Sequence, residues 1–234
     1  MNNCVKGTDF LVGLNKLVIT IDGPAGSGKS STAKLLAKKI GAAFLDTGAM
    51  YRAATLAAMQ AGCRLDDVSA LEKIIDNTDF KFEIAAGQLA VKIDGSDVTE
   101  KIRDPQITDN VRFVASEPSL RQRLVKMQRA FAGERQKIVT EGRDQGTVVF
   151  PDADFKFFLT AQAEARTKRR AAELTEKGLQ VDVSELRRDI EKRDVSDQNR
   201  KTAPLVPAKD AVIIDNTDLT LEQTVDRIME VVKF

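Results

Sequence analysis

The chain has 234 residues, 42% of them hydrophobic and 30% charged, with 14 Gly and 6 Pro, so it can bury a sizeable core and excludes disordered, collagenous and low-complexity classes. Its 36 Lys and Arg nearly cancel 35 Asp and Glu, leaving +1, which excludes the uniformly basic field of a protein that coats nucleic acid and makes any anion site local. It has no histidine, which excludes imidazole bases and histidine-ligated metals, and its two cysteines, Cys4 and Cys63, lack CxxC or zinc spacing, so a reducing compartment is expected.

In chain order, the apolar stretch at 10–14 is shorter than a signal-peptide core, and no run is long enough to span a bilayer; a cytoplasmic protein without membrane contact is expected. Leu17-Val18-Ile19-Thr20-Ile21 is a β-branched run stopped by Asp22-Gly23-Pro24, which predicts a buried strand and a turn. From Lys29 the apolar positions Ala33, Leu36, Ala37 and Ile40 repeat at helical spacing, and Gly41 stands at the C-terminal cap. A second short strand at 43–46 precedes a helix near 49–61, and a further helix is predicted over 66–77 with an acidic first turn.

Between about 80 and 99 the period changes to two, with Phe80, Phe82 and Ile84, then Leu89, Val91 and Ile93, alternating with polar residues. Ala86-Gly87 and Asp94-Gly95 supply turns, so a small antiparallel sheet is predicted as an insert. Helical character resumes from roughly 104 to 132, and apolar strands follow at 137–140, 155–159 and 211–215, separated by charged helices. Alternating strands and helices imply an α/β fold with a doubly wound, five-stranded parallel sheet, whose ligands sit beyond the carboxyl ends of the strands. Asp22, Asp46, Glu141 and Asp215 lie at or beside such ends.

Between the first strand and first helix, Gly23-Pro24-Ala25-Gly26-Ser27-Gly28-Lys29-Ser30 satisfies G-x-x-x-x-G-K-[ST]. The glycines let backbone N–H groups converge on phosphates at the positive end of the helix, Lys29 reaches the β and γ phosphates, and Ser30 can ligate Mg²⁺. ATP and Mg²⁺ are the expected co-substrate and metal. Arginines at 52, 121, 143, 166, 169, 170, 193 and 200 fall after strand ends or on flanking helices, more cations than one triphosphate needs. They suit a reaction that must offset repulsion between two phosphorylated substrates. A phosphate monoester with second pKa near 6 is already an anionic nucleophile, so the missing histidine is no obstacle. A kinase for a small hydroxyl metabolite, a nucleotide switch and an RNA-binding protein remain alternatives; the scarcity of aromatics, one Tyr and no Trp, speaks against the last.

Four segments go further: IDGPAGSGKSS at 21–31, FLDTGAMYRA at 44–53, EGRDQGTVVFPDADFKFFL at 141–159 and NRKTAPLVPAKDAVIIDNT at 199–217. On these the chain resembles the bacterial cytidylate kinases of the nucleoside-monophosphate kinase group, over nearly its whole length. The resemblance implies transfer of the γ-phosphoryl group of ATP to CMP, with dCMP as a second acceptor, by a monomer that binds no nucleic acid. It implies a P-loop kinase core over 1–78 and 134–234, with a helical lid at about 161–200, and a monophosphate-binding insert over 79–133. The loop from Gly23 through Ser31 would hold ATP; Asp46, Thr47, Arg52, Arg121, Arg143, Asp144, Arg193 and Asp197 would hold the acceptor. Lys29, Arg193 and the lid residues Arg166 and Arg170 would act on the phosphates. Arg112 stands where relatives usually carry a small hydroxyl residue near the base, and Ser196 and Gln198 where some carry arginines beside Asp197.

Overall fold

A residue inside a parallel sheet covered by helices on both faces meets no water on either side, which is why such strands read as continuous apolar runs. The computed structural model, which describes residues 16–85, 88–176, 178–200 and 202–233, places the run at 17–21 in that position. Strands β1 (Leu17–Asp22), β2 (Ala43–Asp46), β6 (Lys137–Gly142), β7 (Phe155–Thr160) and β8 (Val212–Asp215) form a parallel sheet of order β2–β6–β1–β7–β8. The central strand β1 pairs with β6 from Leu17↔Lys137 to Asp22↔Gly142, and with β7 from Ile19↔Phe155 to Asp22↔Phe158. This register brings Asp22, Gly142 and Phe158 level at the carboxyl edge. The apolar run at 10–14, Cys4 and the turn expected at Ala86-Gly87 lie outside the described residues.

The two faces carry separate cores. Leu17, Ile19 and Ile21 pack with Phe157 and Leu159 against helices α1 (Lys29–Ile40) and α8 (Leu221–Val232). Phe157 is buried there, and truncation to Ala at such a site costs about 3–5 kcal/mol. Opposite, Leu45 and Ile138 pack against α2 (Thr47–Gln60) and α5 (Pro118–Gly133). α3 (Val68–Asn77) and α4 (Pro105–Ala115) extend that layer through Leu71, Ile75 and Val114. Strand β8 is as apolar in sequence as the others, but it forms the sheet edge, and Val212 and Ile213 are exposed.

The insert is a three-stranded antiparallel sheet, β3 (Phe80–Ala85), β4 (Gln88–Ile93) and the short β5 (Ser96–Asp97). Leu89, Val91 and Ile93 are its buried side, joined to the core beneath α2, as the period of two requires. The helical stretch expected over 104–132 breaks at Ser116-Glu117, where α5 restarts with Pro118 in its first turn; proline suits a helix start, where its missing N–H would go unpaired anyway. The segment expected as a lid is a pair of helices, α6 (Ala163–Glu176) and α7 (Val183–Gln198), packed on each other. Five residues after β6, Gln145–Val149, form a single π-helical turn that periodicity does not predict.

Candidate active site

The loop 23–30 connects β1 to α1 at the carboxyl edge of the sheet. Gly23 has no room for a side chain, since a Cβ there would lie 2.3 Å from the Leu159 carbonyl oxygen. Gly28, at φ 81°, takes the N-cap of α1 in the left-handed region, and no side chain caps the helix. The first-turn N–H groups and the positive helix end are thereby left to an anion. Gly26, Gly28, Lys29, Ser30 and Ser31 line a cleft of about 960 Å³, whereas Gly23, Pro24 and Ser27 shape the loop from beneath.

Lys29 is buried at this end and turns its ammonium back to the Pro24 carbonyl oxygen at 3.2 Å, with the Glu141 carboxylate 4.0 Å away. Burial, then the Arg143 charge, pulls its pKa down to about 7, against the favourable pull of Glu141. The Ser30 hydroxyl donates to Glu141 Oε1 at 2.7 Å. A hydroxyl and a carboxylate side by side suit Mg²⁺, which takes few protein ligands and completes its shell with water and substrate phosphates. Among the described residues no larger metal-ligating cluster of His, Cys, Asp or Glu exists.

The opposite end of the same cleft is built from side chains. Asp46 caps α2 by accepting from the Ala49 N–H at 2.9 Å, and its other oxygen takes Arg52 at 3.2 Å. The Thr47 hydroxyl donates to the Glu141 carbonyl oxygen at 2.7 Å, tying the start of α2 to β6. Arg121 is buried against Asp144, gives a further N–H to the Ala115 carbonyl oxygen at 3.0 Å, and lies 5.5 Å from the centre of the Tyr51 ring. Arg143 donates to Asp197 at 2.7 Å, and Arg200 takes the other Asp197 oxygen. Burial alone would raise Asp197, but Arg143 and Arg200 more than offset it and hold the carboxyl below its usual range. Arg200 thus supplies a second guanidinium on Asp197, although Ser196 and Gln198 stand beside it. Arg193 makes no hydrogen bond or ion pair among the described residues, although the Asp197 charge attracts it; burial, then the Arg143 charge, lowers it to about 10, so it stays cationic.

Two expected residues sit differently. Arg166 was expected to close over phosphates, yet it is buried behind the loop, donating to the carbonyl oxygens of Ala25 at 2.9 Å and Ala161 at 3.0 Å and pairing with Asp194 at 2.5 Å. The Asp194 carboxylate also accepts the Ala25 N–H at 3.3 Å, so α6 and α7 grip the phosphate loop itself. Arg112 lies over the Phe113 ring and does not line the cleft, whereas Arg103, Thr108 and Val111 do. Arg170 does line the cleft, paired with Glu173 at 2.6 Å.

Sequence reasoning assigned no individual partner or role to several residues that the fold brings in. Arg169 binds the carbonyl oxygens of Asn216 at 2.5 Å and Thr217 at 3.1 Å, and the Asn216 amide donates to the Ser27 carbonyl oxygen at 2.9 Å. The β8–α8 loop is thereby stitched to the phosphate loop. Glu141, Tyr51 and Arg200 also line the cleft; their signal was position after a strand or within a matched segment, which identifies no partner.

Residues 19–234 match the family described as Cytidylate kinase. A cytidylate kinase of Caldicellulosiruptor saccharolyticus is 46% identical over 217 residues, covering 93% of this chain and 96% of the relative. One from Ligilactobacillus salivarius is 45% identical over 220 residues, covering 94% and 98%. Among solved structures, an uncharacterized protein from Eubacterium ventriosum superposes with TM-score 0.51 at 16% identity, covering 93% of this chain and 98% of that one; at that identity the likeness speaks to the fold alone.

Proposed function

The chain belongs to the cytidylate kinase family and transfers the γ-phosphoryl group of ATP to CMP, and from that premise we propose how its residues divide the work. The observation that carries the reading is a single cleft with a backbone anion cradle at one end and paired guanidinium and carboxylate groups at the other. At about 960 Å³ it lies at the top of the ~300–1,000 Å³ range of small-molecule sites and can take two nucleotides end to end.

ATP lies with its phosphates on the loop 23–31, where Lys29 meets the β and γ groups. Ser30 and Glu141 would hold Mg²⁺, which would supply positive charge to the phosphates. CMP lies with its phosphate among Arg52, Arg143 and Arg193, and its base toward Arg121 and Asp144. Asp46 and Thr47 hold the wall from which Arg52 reaches, and Asp197 keeps Arg143 and Arg200 in register for the phosphate and sugar. Arg170 approaches the phosphates from the lid, and Arg166 supports the transfer through Ala25 and Asp194.

No base is needed. The CMP phosphate is anionic at neutral pH, so one of its oxygens attacks the γ-phosphorus as the bond to the ADP oxygen breaks, and the cations stabilise the charge that spreads between them. The same reading takes 79–133 as the acceptor-binding insert, dCMP as a second acceptor, and a cytoplasmic monomer as the working form. A coupled assay of ADP release over CMP, dCMP, UMP and AMP tests it: CMP and dCMP turn over best. Absence of turnover with every monophosphate would end the reading.

A further inference from the structure

We propose that Asp22 is a positioning residue for the acceptor: from the end of the strand that carries the phosphate loop, its carboxylate holds the backbone that aims Arg143 and Asp144. The inference rests on the acceptor role given above to those two residues.

Asp22 is the last residue of β1 and directly precedes Gly23, and it is buried. One carboxylate oxygen accepts the Gln145 N–H at 2.9 Å and the other the Gly146 N–H at 2.8 Å. These are the residues that follow Arg143-Asp144, and they open the π-helical turn 145–149. The far end of that turn is held by Arg129, which donates to the carbonyl oxygens of Val149 at 2.8 Å and Val148 at 3.0 Å. The Gln145 side chain is fixed from below by the Thr140 hydroxyl at 2.8 Å and by Gln128 at 3.2 Å. Among these ties, Asp22 supplies the one that comes from the donor strand.

Stability alone does not call for a carboxylate here. Burial drives the Asp22 pKa up to about 7, although both amides and Arg143 favour the ionised form and Asp144 opposes it. An uncharged side chain would avoid that cost. What a carboxylate supplies, and a single-oxygen side chain does not, is two acceptors at once for two successive N–H groups. It couples the position of the ATP loop to that of the pair facing the acceptor.

Steady-state kinetics of wild type, Asp22→Asn and Asp22→Ala, with ATP and CMP each varied, test the proposal below the melting temperature of every variant. Asn keeps the shape and one acceptor. Its KM for CMP should rise about tenfold, the order expected for one lost hydrogen bond to a charged group, while the KM for ATP moves by less than about twofold; Ala should raise the CMP constant further. Parallel changes in both constants, a loss confined to melting temperature, or failure of both variants to fold would each overturn it, because Asp22 would then serve the fold alone. A wild type without CMP turnover would instead defeat the parent reading, and the two failures are told apart in the same assay.

Discussion

On the proposed reading, the two ends of the cleft bind phosphate with different materials. At the end proposed for the donor, peptide N–H groups lie on one contiguous loop, and Lys29, Ser30 and Ser31 are among the residues that line the cleft there. At the end proposed for the acceptor, residues from β2, α2, α5, α7 and the segments that follow β6 and α7 meet and pair with one another: Arg52 with Asp46, Arg121 with Asp144, and Arg143 and Arg200 with Asp197. A backbone cradle is preorganised by the fold and indifferent to most side chains. A side-chain cradle must keep its charges matched until substrate arrives, since an unpaired buried charge costs several kcal/mol.

That contrast can be broken most sharply at Lys29. Lys29→Ala should lower kcat/KM by at least about 10²–10³-fold, as loss of a preorganised charge on the transferring group does, and leave thermal stability unharmed because the ammonium is already an unfavourable burial. Stopped-flow or coupled kinetics with a melting curve would check both halves. Next comes Asp144→Ala, which strands Arg121 in the interior. It should cost about 3–5 kcal/mol of stability and chiefly weaken CMP use, measured by denaturant titration and acceptor kinetics. Equal damage to ATP binding would mean that the two ends are not separable.

Arg200→Ala is milder, because Asp197 keeps Arg143; the KM for CMP should rise about tenfold, the worth of one charge-assisted hydrogen bond. The smallest effect is a proton. Lys29, lowered to about 7, is mostly neutral at pH 8 in the free protein, and ATP phosphates draw it back to the charged form, so binding should take up about one proton. Arg193, at about 10, is charged throughout, so CMP binding at pH 8 should take up none. Calorimetry in buffers of different ionisation enthalpy separates the two; buffer-independent heats for ATP would remove Lys29 from the phosphates.

How much could be read beforehand follows the same division. The loop is contiguous, and its strand, glycines, lysine and helix announce themselves within one stretch, 17–41. The five parallel strands were legible as short apolar runs between helical stretches, a pattern that burial on both faces demands of the central β1 but not of the edge strand β8. The acceptor end was legible only as residues matching a family, since no local pattern says that Arg121 meets Asp144, or that Arg143 and Arg200 share Asp197. The π turn at 145–149 has no periodic signature, because tertiary ties from Asp22 and Arg129 hold it. The resemblance set Arg166 over the phosphates; its burial behind Ala25 depends on how α6 and α7 dock. The break at Pro118 is different, for proline gave a visible signal that helical periodicity on both sides concealed.

The central claim is that the two cradles face one another across one reaction path. A crystal structure with a non-hydrolysable ATP analogue and CMP bound together tests it most directly. The account predicts the analogue's phosphates on the loop 23–31, the CMP phosphate among Arg52, Arg143 and Arg193, and an acceptor oxygen in line with the γ-phosphorus at about 3–3.5 Å. Two nucleotides in unconnected places, or CMP away from Arg143 and Asp144, would contradict it.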